Sequence, residues 1–267
     1  MKNILLLFIN VLLLILFTCC NSTDEKNSDY AVIKNIGYNI LKTYPHDTSF
    51  FTEGLEMHDS ILYESSGLEN QSYIVKINLP GNKIIQKIKI QDPNIFGEGI
   101  TIFHDTLYQL TYKNKMVFVY NANKLSNFKN LTFPKNEGWG MTHDTTHIIA
   151  GDGTNQLYFI EPATFRIIST LQVSDNYGPS ANLNELEYDN GFIYANVWQE
   201  NTILKIDATT GNVVGKIDLT GILDKAGVNY NKEKIDVLNG IALLPGSGHL
   251  LITGKRWPVY IEIYLQE

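Results

Sequence analysis

The chain has 267 residues, of which 44% are hydrophobic, so it is long enough to bury a full core. An all-β fold of this length commonly forms one domain. Its 21 basic and 28 acidic residues give a formal net charge of −7, which leaves no basic stripe for a nucleic-acid partner.

The N-terminus predicts a targeting segment. Lys2 supplies a positive charge, and residues 4–17 form an apolar run that is too short and ends too abruptly for a stable membrane span. The run ends in "LFTCC", which resembles a bacterial lipobox, where one cysteine is lipidated and becomes the mature N-terminus. Either Cys19 or Cys20 could be that residue, and an ordinary secretory signal is the alternative. Residues 21–29 are polar and predict a tether.

The rest of the chain repeats a pattern of two alternating strands joined by a tight turn. Five segments share it, and their equivalent apolar positions recur every 41–55 residues. Each segment predicts a third strand after it, and the first four predict a fourth strand as well. The segments are 54–67, 99–112, 140–153, 185–198 and 240–255; the third strands are 73–79, 116–122, 156–162, 202–208 and 259–265; the fourth strands are 83–90, 127–133, 166–173 and 212–219.

Only the last unit lacks a fourth strand, and the segment 36–45, which precedes the first unit, could supply it. Four strands in each repeat, with the N-terminus closing the last unit, predict an all-β fold, a five-bladed β-propeller. Closing the ring removes exposed sheet edges, which favours this fold over an open sandwich. Helical periodicity is confined to residues 220–227.

Unusual polar and aromatic residues fall at two positions of the repeats. In an antiparallel blade, the start of the first strand and the end of the second strand lie on the same face. We therefore expect these residues to surround one mouth of the central channel, with Trp257 close by. They are Phe51, Glu53, Phe96, Glu98, Tyr112, Trp139, Asp152, Asn184, Trp198, Asn239 and Lys255.

Some of these residues also have ordinary structural interpretations. Glu98 lies between two glycines that would let the backbone bend into the channel mouth, but it could also be a solvated loop residue. Asn184 and Asn239 could cap strand starts. Asp152, in "GDG", is better explained as a turn residue than as a catalytic one.

The repeat pattern places histidines on the face opposite the channel mouth. His58, His104 and His143 each precede an aspartate in the turn between the first and second strands, where aspartate makes local backbone hydrogen bonds. Because the blades are arranged around a ring, we expect these turns to be held apart. The sequence therefore predicts no metal site.

Taken together, the motifs resemble those of the plant and bacterial type of glutaminyl cyclase (glutamine cyclotransferase). The resemblance covers residues 36–267 and rests on "FTEG", "YESSG", "FGEGIT", "GWGM", "GDGT", "NELEY", "ANVWQ", "VLNGIA" and "ITGK". It implies a five-bladed propeller enzyme that converts the N-terminal glutamine of peptides to pyroglutamate with loss of ammonia, without a metal or another cofactor.

The resemblance also implies roles for individual residues. Glu98 matches the family's proton-carrying glutamate, and Asn184 and Lys255 match a polar pair that stabilises the tetrahedral intermediate. Tyr112 stands where plant members carry tryptophan, and Glu53 stands where they carry glutamine, which puts the charge preference of the site in doubt. The aromatic residues that match the lining of the substrate pocket are Phe51, Phe96, Trp139 and Trp198.

Two other functions fit parts of the pattern. A non-catalytic propeller could bind a peptide or a glycan at the same mouth, and it would not require Glu98 and Lys255 together. A calcium-dependent lactonase-like propeller would need several carboxylates near the axis, and only Glu53, Glu98 and Asp152 are available.

The domain organisation follows from these observations. We expect a signal segment at 1–20, a tether at 21–29 and a catalytic propeller at 30–267. We also expect a monomer in the bacterial cell envelope, periplasmic or surface-facing, that touches the membrane only through an N-terminal lipid and acts on a peptide with N-terminal glutamine.

Overall fold

A computed structural model describes residues 33–266, which form five four-stranded antiparallel sheets. The first strand of each sheet lies beside the first strands of the preceding and following sheets, so the sheets surround a central channel as the blades of a propeller. This confirms the predicted five-bladed fold. From the innermost strand outward, the blades are Thr52–His58, Ile61–Ser66, Tyr73–Asn78 and Lys83–Lys89; Gly97–Phe103, Thr106–Thr111, Met116–Asn121 and Ser126–Thr132; Met141–His143, Ile148–Gly151, Gln156–Glu161 and Arg166–Gln172; Leu183–Asp189, Phe192–Val197, Thr202–Asp207 and Val213–Asp218; and Leu238–Leu244, His249–Gly254, Val259–Gln266 and Gly37–Pro45.

The N-terminal strand closes the ring as predicted. Gly37–Pro45 pairs antiparallel with Val259–Gln266 and is the outermost strand of blade 5. A further strand, Lys34–Asn35, pairs in parallel with the outermost strand of blade 4 and was not predicted. The first segment of the described chain therefore contacts the last two blades.

Hydrophobic packing between neighbouring blades holds the ring together. The innermost strands are almost wholly buried, whereas the outermost strands alternate or are exposed, as in Ser126–Thr132. Between blades 5 and 1, for example, Phe50, Leu55 and Tyr260 belong to one buried cluster. Because every blade packs on two others, the inner strand ends have little freedom.

Glycines permit the close approach of adjacent inner strands. A Cβ atom on Gly99 would lie 2.5 Å from the carbonyl oxygen of Trp139, and one on Gly140 would overlap the carbonyl oxygen of Asn184. The Gly99 N–H donates to the Trp139 carbonyl at 2.9 Å. Gly99 and Gly140 thus bring the backbones of Glu98, Trp139 and Asn184 side by side. The pairing of the first two strands of blade 2 shifts register between Gly97 and Ile100, so the backbone beside Glu98 departs from a regular strand.

The remaining elements are short. The helix Ile222–Lys225 lies in the segment where helical periodicity was predicted, and a small hairpin, Ser174–Asp175 with Gly178–Pro179, follows blade 3. Across residues 33–266, no helix has the length and apolar character that crossing a membrane requires. The predicted signal and tether, with Cys19 and Cys20, lie outside the described residues.

Candidate active site

One mouth of the channel opens into a cavity of about 780 Å³. Its wall is built from the starts of innermost strands and the ends of second strands, which is the face that the repeats predict. Every residue assigned to catalysis or substrate binding from the sequence lies in this wall, and four further residues join them. The lining comprises Phe51, Glu53, Leu68, Glu69, Gln71, Phe96, Glu98, Tyr112, Trp139, Asn184, Trp198, Lys255 and Arg256.

Aromatic rings form the apolar part of the wall. The Phe96 ring packs against Phe51, with 6.3 Å between the centroids, and against Tyr112, with 6.0 Å. Trp139 and Trp198 meet edge to face, with 5.6 Å between their centroids. Such walls suit a short aliphatic chain and exclude water from it. Tyr112 contributes a ring at the position where the sequence resemblance implies a tryptophan, so the lining is aromatic there as well.

Glu98 presents a buried carboxyl to the cavity. It is the second residue of the strand Gly97–Phe103 and is 6% exposed, and its carbonyl oxygen accepts a 2.6 Å hydrogen bond from Ser65 Oγ. Burial raises the pKa of Glu98 well above its usual range; the charges of Glu53 and Glu137 act in the same direction, and the Lys255 ammonium opposes them. A buried carboxyl that faces a cavity is the kind of group that can accept a proton from a bound molecule and return it.

Lys255 and Glu53 form a buried ion pair. The Nζ atom of Lys255 lies 2.7 Å from Glu53 Oε1, and the second carboxylate oxygen accepts a hydrogen bond from Asn239 Nδ2 at 3.2 Å. Burial raises the pKa of Glu53 to about 7, although the Lys255 ammonium acts against this rise. Glu53 is 2% exposed, so its carboxylate is directed into the protein and not into solvent. The pair joins blade 5 to blade 1.

The two asparagines differ in what they contact. The Asn184 amide oxygen is buried in the cavity wall and has no hydrogen-bond partner among the described residues. A buried acceptor of this kind is suited to an N–H group of a bound molecule. Asn239 lies behind the wall, where its amide nitrogen donates to the Thr52 carbonyl and to Glu53. Asn239 thus supports the ion pair.

Besides Asn239, two residues expected near the mouth do not line the cavity. Asp152 accepts hydrogen bonds from the Thr154 N–H at 3.2 Å and from the Tyr158 hydroxyl at 2.7 Å, which is the turn role that its "GDG" context favours. Trp257 is buried, and its indole N–H donates to the Asp236 carbonyl at 3.0 Å. The expectation that Trp257 joins the other tryptophans is wrong, because its ring packs on Gly254.

On the opposite face, one histidine approaches the turns of two blades. His58 Nε2 lies 3.5 Å from Asp59 and 3.8 Å from Asp105, and one ligand atom from each residue lies within 4.8 Å of the others. The expectation that the blades hold all these turns apart is therefore wrong for blades 1 and 2. Both aspartates are exposed. That the protein works without a metal stays a prediction.

Sequence reasoning missed four lining residues, because none of them occupies a recurring strand position. Leu68, Glu69 and Gln71 belong to the turn that follows the second strand of blade 1, and Arg256 directly follows Lys255. Only the adjacency of Arg256 to Lys255 could have indicated any of them. They form the outer rim of the cavity, where Arg256 lies over the Phe51 ring at 5.7 Å.

Fold and site together define a propeller whose channel mouth holds a cavity lined by aromatic rings and a buried carboxyl. The family model described as glutamine cyclotransferase matches residues 11–265. The chain is 34% identical over 229 residues to a glutaminyl-peptide cyclotransferase of Arabidopsis thaliana, with 85% of this chain and 71% of that protein covered. The crystal structure of Myxococcus xanthus glutaminyl cyclase superposes with a TM-score of 0.80 at 34% identity, covering 88% of this chain and 99% of that one.

The chain belongs to the glutamine cyclotransferase family. This confirms the family resemblance that the motifs indicate.

Proposed function

We propose that the protein is a glutaminyl-peptide cyclotransferase, which converts the N-terminal glutamine of a peptide to pyroglutamate and releases ammonia. Membership of the family supports this activity. The observation that carries the proposal is the buried Glu98 carboxyl, placed in one aromatic cavity with Lys255 and Asn184. A pocket that only bound a ligand would not need a proton carrier.

Glu98 is the proton carrier of the proposed reaction. The α-amine of the substrate gives a proton to the Glu98 carboxylate as its nitrogen attacks the carbon of the γ-carboxamide. A new C–N bond forms and the carbonyl becomes an oxyanion. When the original C–N bond breaks, the Glu98 carboxyl returns the proton to the leaving nitrogen, so ammonia departs and Glu98 is regenerated. Help of this kind contributes about 10²–10⁴ in rate.

Lys255 and Asn184 stabilise the charge that develops on the γ-carbonyl oxygen. The Lys255 ammonium donates one N–H to Glu53 and has others to offer to the cavity. The Asn184 amide nitrogen acts beside it, and its unpartnered oxygen accepts an N–H from the leaving group. Donors aimed at an oxyanion in a water-poor site are worth about 10²–10³ each. The aromatic walls hold the methylene chain of the glutamine.

The activity is tested with a purified protein and a peptide that begins with glutamine. We expect the peptide to lose the mass of one ammonia, measured by mass spectrometry against the same peptide incubated without the protein, which gives the rate of spontaneous cyclisation. A non-catalytic peptide-binding propeller would retain the peptide unchanged. Turnover that persists in a chelator would support metal independence and exclude the calcium-dependent alternative.

Replacing Glu53 with glutamine should extend activity to lower pH. The change removes a negative charge that raises the pKa of Glu98, and it leaves the opposing charge of Lys255 unpaired, so the pKa of Glu98 falls. A larger fraction of Glu98 is then ionised near pH 7 and above, where Glu53 carries its charge in the wild type. We expect the acid limb of the kcat/KM profile to move to lower pH, with the largest gain in activity near pH 7.

A matched control removes a carboxylate from the rim of the same cavity. Glu69 is exposed and does not contact Lys255 or contribute to the shift of Glu98, so Glu69→Gln should leave the acid limb in place. Superimposable profiles for the wild type and Glu53→Gln would contradict the coupling between Glu53 and Glu98.

We also propose that the protein is a monomeric lipoprotein of the bacterial cell envelope, because the apolar N-terminal run ends at Cys19 and Cys20. Replacing both cysteines with serine should move the protein from the membrane fraction to the soluble fraction, as measured by fractionation and immunoblotting. Single replacements identify the lipidated residue. Membrane association of the double variant would contradict the lipid anchor.

A further inference from the structure

A carboxylate outside the cavity wall contacts one of its tryptophans. Glu137 lies two residues before Trp139, and its Oε2 accepts a hydrogen bond from the indole Nε1–H at 3.0 Å. Its other oxygen lies 3.5 Å from the ammonium of Lys113, on the solvent side. The indole has a single N–H donor, and a bond to a carboxylate is stronger than one to a neutral acceptor. Glu137 therefore holds the polar edge of Trp139.

Other neighbours restrict the faces of the same indole. A Cβ atom on Gly153 would lie 2.5 Å from Trp139 Cε2, so the ring rests directly on that glycine. Gly153 has a φ of 77°, a conformation that glycine adopts without strain. Trp198 contacts the ring edge to face. With the ring confined by these contacts, the bond to Glu137 selects one orientation of the indole over its flipped alternative.

Glu137 also acts on the cavity through its charge. The charged groups that influence Glu98 are Glu53, Lys255 and Glu137, and the negative charge of Glu137 favours the protonated form of the Glu98 carboxyl. Glu137 is half-buried, so solvent weakens this effect without abolishing it. Glu137 thus contacts the aromatic wall through Trp139 and also raises the pKa of Glu98.

We propose that Glu137 is a positioning residue for the cyclisation reaction, which fixes the Trp139 indole in the orientation that holds the glutamine side chain. This inference rests on the proposed function. Glu137 itself does not line the cavity and acts through Trp139.

Two substitutions separate the hydrogen bond from the charge. Glu137→Ala removes the acceptor, so we expect KM to rise by up to about tenfold, the value of one charge-assisted hydrogen bond, with a smaller change in kcat. Glu137→Gln keeps an amide oxygen as acceptor, but a bond to a neutral acceptor is about half as strong as one to a carboxylate, so KM should recover part of the way, to within about threefold of the wild type. The lost charge should still move the acid limb of the Glu137→Gln profile to lower pH.

A double-mutant cycle tests whether Glu137 acts through the indole. Trp139→Phe keeps an aromatic ring but has no N–H, so adding Glu137→Ala to it should not raise KM further. An additive rise in KM would overturn the proposal. So would a Glu137→Gln variant whose KM is as high as that of Glu137→Ala, because a residue that only supports the loop fold would not be rescued in this way.

A spectroscopic readout separates this proposal from the activity itself. The chain has three tryptophans, so its ¹H–¹⁵N spectrum has three indole N–H signals, and Trp139→Phe assigns one of them. That signal should shift in Glu137→Ala and should shift less in Glu137→Gln, which keeps a neutral acceptor. The control is Glu200→Ala, which removes an exposed carboxylate two residues after Trp198 and should leave the Trp139 signal in place. An unchanged signal in Glu137→Ala would overturn the positioning contact, whereas a shifted signal in a protein that cyclises no peptide would overturn the function alone.

Discussion

Replacing Glu98 with glutamine should lower kcat by about 10²–10⁴-fold, because the amide has nearly the same size but cannot carry a proton from the substrate amine to the leaving ammonia. The side chain is not part of a hydrophobic cluster, and its position at the start of the strand Gly97–Phe103 is fixed through the backbone. We therefore expect the thermal unfolding midpoint to change little. Turnover is measured by mass spectrometry on a peptide with N-terminal glutamine, and folding by circular dichroism.

The comparison with Glu98→Asp distinguishes proton transfer from a general loss of charge. Aspartate can carry a proton but is one methylene shorter, so it should retain more activity than glutamine at this position. Both variants should still bind the peptide, since the aromatic wall is intact. A Glu98→Gln variant that keeps more than about a tenth of the wild-type rate would contradict the proposed role.

The fold could be predicted because each repeat encodes the same local information. Alternating strands, tight turns and the missing fourth strand of the last unit were enough to place Gly37–Pro45 in blade 5. The parallel strand Lys34–Asn35 could not be predicted in this way. This strand has only two residues, too few to show a periodic pattern. Its pairing also depends on the outermost strand of blade 4, which is more than 170 residues away in sequence.

The site could be predicted as a set of residues but not as a set of contacts. Strand direction alone decides which face a strand start or end occupies, and this brought Glu98, Asn184 and Lys255 to one mouth. The ion pair of Lys255 with Glu53 joins residues 202 positions apart, and no repeat position encodes a side-chain distance across two blades. Asn239 was assigned to the mouth for the same reason, although it lies behind the wall.

Contacts between the turns of neighbouring blades could not be predicted from the sequence either. The ring symmetry suggested that equivalent turns are separated, yet His58 and Asp105 approach each other because neighbouring blades are close on the far face. The close approach of Gly99 to the next inner strand likewise appears only when two blades are packed together.

Replacing Lys255 with methionine should have a large effect on activity. Methionine matches the lysine side chain as far as the ε position but has no ammonium, so the oxyanion loses a donor and kcat should fall by about 10²–10³-fold. The effect on KM should be smaller if Lys255 acts on the intermediate more than on the bound substrate. A rise in KM at unchanged kcat would instead make Lys255 a binding contact.

The same replacement should make stability depend on pH through Glu53. Burial raises the pKa of Glu53 from 4.5 to about 7 while Lys255 is present, and loss of the opposing ammonium raises this pKa further. Above pH 7 the folded wild type loses the Glu53 proton, so the contribution of Glu53 to the pH dependence levels off. The folded variant still keeps this proton, which the unfolded chain has lost. The free energy of unfolding of the variant therefore continues to fall, by ~1.4 kcal/mol per pH unit. The double variant Glu53→Gln/Lys255→Met has no carboxyl at this place and should lose the extra pH dependence. Parallel urea-unfolding curves for the wild type and Lys255→Met from pH 7 to 9 would mean that the buried pair does not form.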